Sequence, residues 1–109
     1  MMALTLVNTN KVHDEMVGDM TMEHYKIEDY DVRATTYQNG FVSVDVTKGN
    51  KDVYLPLIRC NVDMKGNLLG FDIQTTSYGI LPVEETKKMV ASIEKAIAVA
   101  EILTNKFVK

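Results

Sequence analysis

The stretch from Pro82 to about Phe107 constrains the fold most, because it contains no glycine and no further proline. Apolar residues recur within it at Val90, Ile93, Ile97, Ala100, Leu103 and Phe107, in steps of three and four. That spacing predicts one long amphipathic helix of about 25 residues, roughly 37 Å at 1.5 Å per residue. Pro82 suits the first helical position, where its missing N–H costs no hydrogen bond. Glu84 and Glu85 then face the positive end of the helix dipole, and Lys106 and Lys109 its negative end. Such a helix must bury its apolar side against another element, and the rest of the chain has to supply that surface.

The middle of the chain reads as an antiparallel meander. Asn39-Gly40 lies between two runs of alternating residues, and Asn-Gly is the strongest short hairpin signal. Gly49-Asn50 and Lys65-Gly66-Asn67 mark two further turns, which gives strands near 30–38, 41–47, 53–63 and 68–76. Strict two-residue turns would set Val46 opposite Val53, Val44 opposite Leu55 and Val42 opposite Leu57.

The third of these strands is apolar on both faces. Val53, Leu55 and Leu57 occupy one, and Ile58, Cys60, Val62 and Met64 the other. Either a bulge near Pro56 shifts the alternation so that one core takes all of them, or both faces need cover. Ala91, Ala98, Val99 and Ile102 also widen the apolar arc of the helix. Together these features lead us to expect a homodimer or larger homo-oligomer. Near the start, Leu4-Thr5-Leu6-Val7 reads as a short strand. Val12, Met16, Val17 and Met20 have helical spacing after Asn8-Thr9-Asn10, and residues 22–30 read as a further strand. The expected fold is therefore α+β: one domain spanning 1–109, with an antiparallel meander sheet of four or five strands and one long C-terminal helix.

Composition excludes several classes. The 109 residues are 46% hydrophobic and 25% charged, which is globular rather than disordered. No run approaches a membrane span, and Met1 to Val7 lacks the basic and apolar regions of a signal peptide. The lone Cys60 can form no internal disulfide, which fits a reducing cytoplasm. Twelve Lys and Arg against fifteen Asp and Glu do not make a general nucleic-acid binder.

Catalytic signals are weak. His24 with Glu28, or His13 beside Asp14 and Glu15, is too small a donor set for zinc, and no second cysteine helps. Cys60 alternates with Ile58 and Val62 and reads as a core residue. With no nucleophile elbow, Walker loop or dinucleotide fingerprint, no enzyme, metal or cofactor is expected.

Two residue sets point to binding. Residues 13–31 carry Asp14, Glu15, Asp19, Glu23, Glu28, Asp29 and Asp31 against Lys26 alone, a surface suited to a basic partner. Arg33, Arg59 and Asn61 fall on one sheet face together with Asp63, Asp72 and Gln74 if the registers hold. With Tyr37 and Tyr78 nearby, they could hold a phosphate and stack a base. Arg59 opposite Asp72 would otherwise be a plain cross-strand ion pair.

Ser77-Tyr78-Gly79, then Leu81, Glu84-Glu85 and a long Ala/Ile/Val helix, resemble small proteins encoded by phages and prophages of Gram-positive bacteria. The resemblance spans about residues 70–107. It implies a host-cytoplasmic, non-enzymatic anti-defence protein that inhibits a bacterial defence component. The alternatives it leaves are an oligomeric sequestrant of a signalling nucleotide and a structural accessory protein.

Overall fold

The computed structural model describes residues 4–48, 56–75 and 80–108. Six strands precede one helix: β1 (Thr5–Asp14), β2 (Gly18–Ile27), β3 (Tyr30–Tyr37), β4 (Val42–Lys48), β5 (Pro56–Val62), β6 (Leu68–Thr75) and α1 (Val83–Thr104). The strands form a single antiparallel sheet in chain order. The class is α+β, as expected, but the sheet has six strands rather than four or five.

The additional strand comes from the N-terminal region. Residues 10–20, expected to be helical, instead join the expected strands near 4–7 and 22–30 in a ten-by-ten hairpin of β1 and β2. Val12, Met16, Val17 and Met20 fit a helical stripe, yet Thr5, Val7, Thr9 and Val12 are β-branched and pair readily as strand. The turn decides between them. The Asp14 carboxylate accepts the backbone N–H of Met16 at 2.7 Å and of Val17 at 3.2 Å, and Gly18 adopts φ 84°. The Gln38 side-chain oxygen then accepts the Asp19 N–H at 2.9 Å, tying this turn to the next hairpin.

That next hairpin also departs from expectation. Tyr37 and Phe41 bracket a three-residue loop, with Gly40 N–H donating to the Tyr37 carbonyl at 2.9 Å. Gly40 has φ 93°, whereas Asn39 is not left-handed and instead accepts the Phe41 N–H through its side chain at 3.0 Å. A tighter surprise lies between β2 and β3, where Glu28 takes φ 52° in a two-residue turn. Its carboxylate pairs with Lys95 on α1, whose ammonium also lies 5.8 Å above the Tyr30 ring.

The β4–β5 register corrects the expected one. Val46 faces Ile58, Val44 faces Cys60 and Val42 faces Val62. Residues 49–55 lie between the strands, so no two-residue turn sets the pairing, and Val53 and Leu55 fall outside the described residues. Within described β5 the alternation is simple: Ile58, Cys60 and Val62 are buried under α1, while exposed Arg59 and half-buried Asn61 face away.

The core is one layer between sheet and helix. Tyr25, Ile27, Tyr30, Val32, Ala34, Val42, Val44 and Val46 join the β5 trio beneath Ala96, Val99, Ala100 and Leu103. Ala96 and Ala100 let the helix come close, and each buried aliphatic side chain contributes about 1.5–3 kcal/mol of transfer free energy. Only the C-terminal half of α1 packs this way, since Val83 and Val90 are exposed. Pro82 is the cap rather than the first helical residue, and its carbonyl accepts the Thr86 N–H at 2.9 Å. Glu84 and Glu85 occupy the first turn as expected, but the last turn holds no basic residue. Lys106, just past it, donates to the Tyr25 hydroxyl at 2.9 Å, and that hydroxyl donates to Glu23 at 2.8 Å.

Candidate functional site

Alternation along each strand sends one set of side chains under α1 and leaves the other set on a face the helix does not cover. On that face the registers align a row across all six strands: Asn8, His24, Arg33, Asp45, Arg59 and Asp72. Neighbouring strands lie about 4.8 Å apart, so Arg33 and Arg59 stand about 10 Å from each other across Asp45. A second row beside it holds Asn10, Met22, Thr35, Ser43 and Asn61.

Ion pairs fix part of this surface. Arg59 stands opposite Asp72 as expected, and its Nε donates at 2.7 Å to Asp45 on the other neighbouring strand. That hydrogen bond, helped by the charges of Asp45 and Asp72, raises the guanidinium pKa above its ordinary value. His24 Nε2 meets Asp31 Oδ1 at 2.8 Å, with both side chains about three-quarters buried. Arg33 is exposed and has no hydrogen-bond or ion-pair partner among the described residues.

Two concavities open on the same face. One, of about 260 Å³, is lined by Asn8, Asn10, Met22, Glu23, His24 and Arg33. The other is a shallow groove of about 680 Å³ bordered by Met16 and Val17 of the first turn together with Tyr37, Asn39, Phe41, Ser43, Arg59 and Asn61. Tyr37 and Phe41 tilt against each other there, with ring centroids 6.1 Å apart.

Of the expected ligand-binding residues, Arg33, Tyr37, Arg59 and Asn61 therefore come together on one face, while Tyr78 lies outside the described residues. The seven acids do not converge. Asp14 and Asp19 sit at the β1–β2 turn with Glu15, Asp14 bonding turn amides and Asp19 bonding His13 Nδ1 at 2.7 Å. Glu23 lies on the helix side against Tyr25, and Glu28 and Asp29 form the β2–β3 turn at the opposite end of the hairpin. Asp31 joins His24 on the uncovered face.

Asn8 and Asn10 go unrecognised from sequence because the spacing there predicts the cap of a helix, and His24, on a predicted strand, stands out only beside Glu28. Asp14 followed four residues later by Gly18, between β-branched runs, was the signal that could have placed them. Among the described residues no three His, Cys, Asp or Glu are grouped to hold a metal ion. No described helix is long and apolar enough to cross a membrane. Comparison with protein-family models, with curated proteins and with solved structures gives no match.

Proposed function

We propose that the chain is a non-enzymatic binding protein of the host cytoplasm that blocks a bacterial defence component, as its phage-type resemblance implies. The helix-free sheet face is its contact surface. The observation that carries this reading is the row of alternating charge from Arg33 to Asp72, held in register by backbone pairing and left without a covering element among the described residues. Lys26, Arg33 and Arg59 balance Asp31, Asp45 and Asp72 on this face, so it reads a partner's charge pattern rather than its net charge. The acidic β1–β2 turn, with Met16 almost fully exposed at its tip, is a second contact that steers a basic surface toward the sheet.

The test is a titration of purified protein against the activity of a defence effector, with candidates chosen by restored phage plating. Inhibition that saturates at a fixed molar ratio supports blocking. Complete inhibition far below one equivalent overturns it in favour of an enzyme. Within the same reading the protein is a homo-oligomer, supported by exposed Ile80, Val83 and Val90 at the N-terminal end of α1. Native mass spectrometry counts the subunits, and a bare monomer would remove that part.

A second reading, a small-nucleotide sequestrant, is favoured by the groove that sets Tyr37 and Phe41 beside Arg59 and Asn61. It predicts a rise in melting temperature with a nucleotide that is lost in Arg59→Ala.

A further inference from the structure

Arg33 differs from every other charged residue in its row. Asp45, its cross-strand neighbour, is taken by Arg59 at 2.7 Å, and His24 on its other side is engaged by Asp31 at 2.8 Å. The guanidinium thus keeps its full set of donors free among the described residues, in a fork whose spacing matches two oxygens of one anion. The 260 Å³ concavity beside it brings two further amide side chains, Asn8 and Asn10, each able to donate two N–H groups. Met22 supplies an apolar wall. Glu23 borders the same space, but its carboxylate accepts the Tyr25 hydroxyl at 2.8 Å on the helix side. The pocket therefore joins one free cation to neutral donors.

We infer that this pocket is an oxyanion site that takes the phosphate of a small phosphorylated ligand, with Arg33 as the bidentate anchor and Asn8 and Asn10 as flanking donors. Its volume of about 260 Å³ holds a phosphate group with room for part of what the phosphate is attached to, and the rest of such a ligand would lie along the second row toward Ser43 and Asn61, at the edge of the aromatic groove. The proposal rests on the helix-free face being the binding surface, and not on which defence component is blocked.

The experiment is an NMR titration of the full chain with inorganic phosphate, acetate and chloride, following the Arg33 Nε–H and the Asn8 and Asn10 side-chain amides. The expected result is saturable phosphate binding, weaker with acetate and absent with chloride. Arg33→Ala should weaken it by at least about tenfold, the loss of a charge-assisted pair. Arg33→Lys keeps the charge without the fork and should recover only part of the affinity. Arg59→Ala should also weaken binding, because it releases Asp45 to pair with Arg33, and Glu94→Gln on the exposed side of α1 should leave it unchanged. The same spectra report whether each variant is folded. Equal shifts with chloride, tighter binding of acetate than of phosphate, or phosphate binding unaltered in Arg33→Ala would each overturn the site. Failure here with stoichiometric inhibition intact removes the pocket alone; phosphate binding without any inhibition removes the blocking reading and keeps the pocket.

Discussion

Leu103→Ala and Val90→Ala test how the helix holds the sheet. Both sit on the apolar side of α1, but Leu103 is fully buried whereas Val90 is 46% exposed. Truncating a fully buried leucine costs about 2–5 kcal/mol, from lost transfer free energy plus the residual cavity. Small domains have urea slopes of about 1–3 kcal/mol per M, so a loss of about 3 kcal/mol lowers the midpoint by on the order of 2 M. For Val90 the half-buried methyls lost are offset by about 0.5 kcal/mol of better helix propensity, and the net change stays within about 0.5 kcal/mol. Urea denaturation followed by far-ultraviolet circular dichroism measures both. Equal losses from the two variants would refute the reasoning, because they would mean that the N-terminal half of the helix is covered as fully as the C-terminal half.

Burial, with the charge of Asp45 helping, pushes the Cys60 thiol up to about 11. A thiol reagent at pH 8 should react only as fast as the protein opens, and rapid labelling of native protein would contradict this. The same shift has a sign: the unfolded thiol ionises first, so above pH 9 the unfolded state binds fewer protons and stability falls as pH rises toward 11. Gly40→Ala meets no neighbouring atom within 4 Å, so its expected cost of about 1–2 kcal/mol comes from φ alone and is read from the melting curve. Asp63 accepts the N–H groups of Asn67 and Lys65, both at 2.9 Å, which lowers its pKa below 3.8. Its NMR titration midpoint should lie below that of a free aspartate. Asp63 then favours folding above the usual aspartate range, and that contribution disappears as pH falls through its lowered value.

The sequence revealed elements whose local chemistry permits one solution. The glycine-free run after Pro82 could only be helix, and Lys65-Gly66-Asn67 became a turn with Gly66 at φ 87°. Val42, Val44 and Val46 alternate cleanly and do line the core. Legibility ended where partners are distant. Val46 pairs with Ile58 rather than Val53, a register between strands that no short motif encodes. Val12 to Met20 has the spacing of a helical stripe, but the turn made by Asp14 and Gly18 turns the stretch into a hairpin. The candidate site divides along the same line. Arg33, Arg59 and Asn61 share a face with Tyr37 beside them, which the sequence allowed only on condition of the strand registers, while Asn8 and Asn10 became visible only once the β1–β2 hairpin did.

The central claim is that the helix-free face makes the contact, and paired charge reversals test it most directly. Arg33→Glu with Asn61→Arg alters that face, and Glu94→Lys with Glu101→Lys alters exposed positions on α1. With both proteins folded by circular dichroism, inhibition of the defence effector is titrated for each. The account predicts that the sheet-face variant loses inhibition and the helix variant keeps it. Retained inhibition by the sheet-face variant, with loss in the helix variant, would contradict it.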